Sequence, residues 1–314
     1  MKIIIPNLPV PGFFDVIQCL ETIKNTIDIE PLFWDVQAKS LMDMFDEAQP
    51  DIVFLHESQI DQSFHIISQE LGFKYILFTS STELIDSLAR KPDLILSAFT
   101  PESNLTQHDN VLYVEPMVHV AQIHNAKYDP KLESEVLINT NNVIVDENLH
   151  SVLSLLINQY RTKIIGNQPV PFLNYLGDVT TVERASFIKS AQVVIDLTLQ
   201  DVLDAAYLKT PAISHHPFND AVFQFANTAE LKNQIDSLLN NGLVRTEYIN
   251  RTHQLALEKT AYHFTSTVFN AITEPVIADH LMKYISDLDS ILDYAEDQNY
   301  KALTVKGLFI NGKA

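Results

Sequence analysis

Residues 172–214 read FLNYLGDVTTVERASFIKSAQVVIDLTLQDVLDAAYLKTPAIS, and the spacing of their apolar residues changes character four times. Phe172–Leu176, Gln192–Asp196 and Pro211–Ser214 are short apolar runs, which predicts strands. Val182–Ser190 and Asp201–Leu208, between them, are spaced as helices. Strands that are apolar throughout and alternate with helices are buried on both faces, the pattern of a parallel sheet with helical crossovers.

The same alternation extends outward. Upstream lie Glu135–Asn139, a helix over Leu149–Tyr160 and Lys163–Gly166. The first third of the chain repeats the rhythm with strands at Lys2–Ile5, Pro31–Asp35, Asp51–His56, Lys74–Thr79, Asp93–Phe99 and Val111–Val114. Helical spacing separates the earlier ones, as in Phe14, Ile17, Leu20, Ile23 and then Leu41, Met44, Phe45. EPMVHVAQIHNAKYDPKLES, 115–134, interrupts this with prolines and polar residues and reads as a linker. From about Asn219 the strands stop, and Glu230–Leu239 and Tyr248–Leu288 read as helices, with Pro275 marking a start or kink.

The expected fold is therefore α/β: two Rossmann-like doubly wound domains facing across a cleft, with C-terminal helices. The expected boundaries are 1–115, a linker at 116–133, a second domain at 134–262, and crossover helices with a tail at 263–314. A chain of 314 residues suits two domains of about 150 residues each.

Composition limits the function. A formal charge of −19, with 21 basic residues, argues against a surface built to neutralise nucleic-acid phosphates. The single Cys19 excludes an internal disulfide, and no apolar run approaches 18 residues, so the expectation is a soluble, cytoplasmic protein. Cys19 itself, within FFDVIQCLETI, reads as a small buried hydrophobe.

The polar residues of 192–204 suggest a site. Asp196 ends a strand, Thr198, Leu199 and Gln200 form a turn, and Asp201 reads as the cap of the helix that carries Asp204. The first N–H groups of a capped helix make an anion site. A carboxylate at Asp204, one turn in, can accept two hydroxyl hydrogen bonds from a ribose, and Asp196 borders the same crevice.

This stretch resembles the carboxyl-terminal domain of GT-B-fold glycosyltransferases of the bacterial and phage type. Leu176, Gly177 and Val179 match their LG-x-V loop, Ser190–Ala191 their pre-strand pair, Asp196-x7-Asp204 their acidic spacing, and Thr210–Ser214 the turn and strand that follow. QPDIVFLHESQ, 49–59, is similar to a strand of their first domain, and 227–239 and 261–272 to their late helices. The resemblance implies a transferase that takes a sugar from a nucleotide-sugar donor, UDP-linked, to an unidentified acceptor, with no cofactor and no metal. It implies that Gly177, Asp178 and Val179 approach the nucleobase and Asp204 holds the ribose hydroxyls. It further implies that Thr198, Leu199, Gln200 and Asp201 offer N–H groups to the diphosphate, and that Asp196 lies near the donor sugar. Ser214 and His215 fall on the donor side.

Departures from the pattern accompany these matches. The loop Thr140-Asn141-Asn142 has no cation, which makes Arg184 the candidate for the diphosphate, and both acids are Asp where Glu is commoner. For the catalytic base, His56 with Glu57 follows a first-domain strand, and His119 is a second choice. His215 and His216 are adjacent, so on an extended chain they point apart and do not chelate one metal. A catalytically silent protein of this fold, a nucleotide-sugar epimerase and a phage enzyme that glycosylates DNA bases share the architecture and remain alternatives.

Overall fold

A computed structural model describes residues 1–10, 12–98, 105, 108–141, 143–144, 146–197, 200–215 and 219–288. The chain forms two compact units, Met1–Val114 with the residues from Tyr262 onward, and Glu115–Ala261.

Unit 1 contains β1 (Lys2–Pro6), α1 (Phe13–Ile23), β2 (Glu30–Trp34), α2 (Leu41–Ala48), β3 (Ile52–His56), α3 (Gln62–Glu70), β4 (Lys74–Phe78), α4 (Thr82–Ser87), β5 (Leu94–Ala98) and β6 (Val111–Val114). The strands make one sheet of order β2-β1-β3-β4-β5-β6, and every pairing is parallel. Ile3, Ile4 and Ile5 of β1 and Ile52–Leu55 of β3 are all buried, because helices cover both faces. One face packs Trp34, Leu41, Phe45, Phe64 and Tyr75. The other carries Phe13 edge-on to Phe54, 5.7 Å between ring centroids.

Unit 2 contains α5 (Val120–Ile123), β7 (Ser134–Asn139), α6 (Glu147–Gln159), β8 (Thr162–Ile165), α7 (Thr181–Ser190), β9 (Ala191–Asp196), α8 (Gln200–Tyr207), β10 (Ala212–Ser214), β11 (Phe223–Gln224), α9 (Thr228–Asn240) and α10 (Gly242–Glu258). Its sheet, β11-β10-β9-β7-β8, is again wholly parallel. Both units are doubly wound, and each reverses strand order at one point: between β1 and β3 in unit 1, and between β7 and β9 in unit 2. Open α/β sheets bind ligands beyond the carboxyl ends of the strands at such a reversal.

Two expected elements differ. Phe172–Leu176 is a turn, joined to β8 by an isolated bridge from Tyr175 to Ile164. Pro169 and Pro171 remove ladder donors from the residues just before it, and Gly177 at φ +95° follows it. Strand pairing also continues past Asn219, since β11 pairs with β10 at Ile213–Phe223. Two residues are too few for a periodicity signal.

The chain returns to unit 1 through α11 (Ala261–Ala271) and a helix over 275–288. Phe269 packs on Phe54 at 6.4 Å, and Lys74 binds the carbonyl of Ile272 and the carboxylate of Glu274, at 2.7 and 2.6 Å. Cys19 is buried under α11 beside Thr265, and burial pushes its thiol far above the usual range. The tail beyond 288 lies outside the described residues. Among the described residues no helix is long and apolar enough to cross a membrane.

Candidate functional site

The reversal point of unit 2 is built by neighbouring strand ends. Ile138 pairs with Ile195, so Asn139 and Asp196 close β7 and β9 side by side, and Ser214 pairs with Asp196 from the other flank. All three are buried. Asp196 Oδ1 accepts the backbone N–H of Asp201 at 3.3 Å, and its Oδ2 lies 3.5 Å from Ser214 Oγ. The acid that meets the first turn of α8 is thus Asp196, the last residue of β9, and not Asp201 as the sequence suggested. A negative group here also complements the positive end of the helix.

Asp201 instead faces Arg184. A capping box between Thr180 and Glu183 starts α7, and Arg184 follows within its first turn. Its guanidinium divides between two acids one turn apart on α8: Nη1 donates to Asp201 Oδ1 at 2.8 Å and Nη2 to Asp204 Oδ2 at 2.7 Å. The side chains of Arg184, Asp201 and Asp204 are 11%, 2% and 0% exposed. Burial raises the Asp201 carboxyl above its ordinary range, against the opposing effects of the Arg184 charge and a hydrogen bond with Asn139.

Asp204, read as an open ribose-binding carboxylate, is directed at Arg184, and Arg184, read as a diphosphate ligand, is already balanced by two acids. Separating a buried ion pair costs about 3–5 kcal/mol, against about 1.5–3 kcal/mol for a hydrogen bond to a charged group. The clamp had a legible signal. Val202, Leu203, Ala205, Ala206 and Tyr207 make α8 apolar around its circumference, so the helix is buried and its two acids, three residues apart, require a cation.

The loop ahead of α7 carries the base-side candidates. Gly177 has φ +95°, and a Cβ there would meet no atom within 4 Å. Its carbonyl accepts the N–H of Gly166, at the end of β8, at 2.9 Å. Gly166 is the tight position: φ is +130°, and a Cβ would stand 2.7 Å from the Asn141 nitrogen. Asp178 is exposed and accepts the N–H of Val179, 3.0 Å away. Leu173 and Leu176 are exposed beside them. Asn139, missed in the sequence, ties the loop to the clamp, because its side chain accepts from Asn141 N at 3.0 Å while also bonding Asp201.

His215 is exposed, with its ring 5.0 Å from that of Phe225. Gln200 opens α8. Thr198, Leu199, Asn142 and His216 lie outside the described residues. Among the described residues no group of three or more His, Cys, Asp or Glu side chains is arranged to hold a metal ion. The loops following β7 to β10, at 140–146, 166–180, 197–199 and 215–222, contain neither Lys nor Arg.

In unit 1, His56 ends β3 next to the β1/β3 reversal. Its Nδ1 accepts the N–H of Ser58 at 3.2 Å, and its own N–H donates to Gln59 Oε1 at 2.8 Å, which caps the turn Glu57–Gln59. Ser58 Oγ lies 2.8 Å from the same Nδ1. Glu57 is exposed, and one of its oxygens is fixed by the buried hydroxyl of Thr79 at 2.5 Å. His119 precedes α5 and is half-buried in unit 2.

No family model matches the chain, and no curated protein matches it. Its fold is found among solved structures. Sucrose-phosphate synthase from Thermosynechococcus elongatus is similar with a TM-score of 0.56 and 8% identity, over 89% of this chain and 100% of that one. A glycosyltransferase from Rickettsia africae gives 0.51 and 10%, over 91% and 97%. SnogD, a glycosyltransferase from Streptomyces nogalater, gives 0.50 and 11%, over 86% and 98%. At such identities the likeness is one of fold, and the chain has the two Rossmann-like domains of GT-B glycosyltransferases.

Proposed function

We propose that the chain is a nucleotide-sugar-dependent glycosyltransferase whose donor, UDP-linked, binds in unit 2 beyond the carboxyl ends of β7 and β9. The observation that carries this reading is a strand reversal with a glycine loop on one side and a helix N-terminus on the other, in a fold that glycosyltransferases share. The open space at Gly177 lets a planar base approach the backbone of Gly177, Asp178 and Val179. The diphosphate falls at the start of α8, Gln200 and Asp201. With Arg184 held by two acids, the charge that grows on the leaving diphosphate meets helix N–H groups and not a free cation. Asp196 fixes the start of α8, and His215 borders the donor side.

The proposed proton acceptor is Glu57, held by Thr79. Transfer forms a bond from the acceptor oxygen to the anomeric carbon, breaks the bond from that carbon to the diphosphate oxygen with its electron pair, and passes the acceptor's proton to a base.

A second reading, a nucleotide-binding protein of this fold without catalytic activity, is favoured by the absence of Lys and Arg from the four loops at the donor edge. One experiment separates the readings. The full chain is titrated calorimetrically with a panel of nucleotide sugars, and each is then assayed for release of nucleoside diphosphate. Binding with release supports the transferase, binding without release by any panel member supports the silent protein, and no binding refutes both.

A further inference from the structure

Strand pairing of β7 ends at Ile138 toward β9 and at Asn139 toward β8. From there on, three successive side chains hold the neighbouring loops. Asn139 accepts the N–H of Asn141 on Oδ1 at 3.0 Å, and the same side chain bonds the carboxyl of Asp201 at the start of α8. Thr140 Oγ1 donates to the carbonyl of Gln168 at 2.9 Å, and Asn141 Oδ1 accepts the N–H of Asn167 at 2.6 Å. Those two residues belong to the loop after β8, whose Gly166 donates to the carbonyl of Gly177 at 2.9 Å. A path of hydrogen bonds therefore runs from the Gly177 loop through Asn141 and Asn139 to Asp201, and on to Arg184 at 2.8 Å.

The residue type at 139 follows from this geometry. One group must receive an N–H and donate to a carboxylate, which an amide does and a second carboxylate does not. With Oδ1 engaged by Asn141, Nδ2 is the donor to Asp201. Asn139 is 5% exposed, so both bonds are made away from water.

The two ends of the path are the two halves of the proposed donor site, the base side at Gly177–Val179 and the diphosphate side at the start of α8. Covalently joined moieties reinforce each other only when their subsites stand at the separation the ligand imposes. We propose that Asn139 is a positioning residue for the nucleotide, setting the base loop against α8 through its bond with Asp201. This rests on the reading of unit 2 as the donor domain.

The test titrates the full chain calorimetrically with UDP, GDP and ADP, and then displaces the one that binds with pyrophosphate. The quantity read is the ratio of the pyrophosphate dissociation constant to that of the nucleoside diphosphate, which is the affinity the nucleoside adds; partial unfolding scales both constants and cancels. Asn139→Asp keeps the acceptor toward Asn141 and loses the donor toward Asp201, and the ratio should fall about tenfold or more. Asn139→Asp combined with Asp201→Asn restores a donor and an acceptor with their roles exchanged at the same net charge, and the ratio should return to within about threefold of wild type. An unchanged ratio in Asn139→Asp overturns the proposal and leaves the donor-domain reading standing, and so does a fall that the double variant does not recover. If Asn139→Asp does not fold, the double variant decides: a ratio within about threefold of wild type supports the pairing, and one about tenfold lower overturns it. A wild-type chain that binds a nucleoside diphosphate not displaced by pyrophosphate also overturns the proposal, because α8 then holds no diphosphate. If no nucleoside diphosphate binds, the donor-domain reading fails and the inference with it.

Discussion

Replacing Arg184 with Met tests the clamp as a structural element. The change keeps much of the side-chain length and removes the charge, leaving Asp201 and Asp204 buried without their cation. Removing one member of a buried ion pair costs about 3–5 kcal/mol. That is a large share of the roughly 5–15 kcal/mol that separates folded from unfolded domains. Protonation of an acid relieves part of it, and this gives the effect a pH signature. The Asp201 carboxyl is already raised above its ordinary range by burial, with Arg184 among the groups that oppose the rise. A carboxyl with a raised folded-state pKa stabilises the fold below the unfolded value and loses that contribution as pH climbs through the folded one. Without Arg184 the folded-state pKa rises further, so the loss extends to higher pH. The stability deficit of Arg184→Met should therefore be about 3 kcal/mol or more at pH 7 and smaller at pH 5. Adding Asp201→Asn and Asp204→Asn should recover most of it, because no charge is then stranded. Urea unfolding followed by hydrogen exchange at α7 and α8 reads the change locally, whereas the single tryptophan, Trp34, lies in unit 1. A deficit under about 1 kcal/mol at pH 7, within the range of an exposed pair, or one that does not shrink at pH 5, would refute the reasoning.

The remaining expectations concern other parts of the molecule. Gly166→Ala should destabilise more than Gly177→Ala by thermal unfolding, because both positions have positive φ but only the first drives a Cβ into backbone, at 2.7 Å from Asn141 N; equal losses would show that the close packing at Gly166 is unimportant. Glu57→Gln should lower turnover by about 10²–10⁴-fold while nucleotide affinity stays as in wild type; undiminished turnover removes Glu57 from the proposed chemistry. Cys19 should react with a thiol reagent at pH 8 only after unfolding, since burial holds it as the neutral thiol. Rapid modification of the native chain would contradict that burial.

The sequence by itself determined the architecture, for a local reason. Strands such as Ile52–Leu55 and Val193–Ile195 are apolar on both faces, and the helices between them repeat at their own period, so each element is identifiable within its own few residues. The positions at the reversal point were legible too, because Asp196 and Gly177 fall where one period stops and another starts. Segment 172–176 was misread because its apolar residues suit a strand while the prolines just before it and Gly177 just after it, acting on hydrogen bonding and backbone angle, do not. Partnership was decided only in three dimensions. Arg184 lies 17 residues from Asp201 and 20 from Asp204, and nothing in local spacing says that a helix charge turns inward to them and not outward to a ligand. Likewise, that the His56 ring lies against the Ser58 hydroxyl and backbone is a matter of rotamer and turn geometry. Burial makes that choice, since acids on a helix that packs on all sides must find a cation within the fold, and the cation they find is no longer available to a substrate.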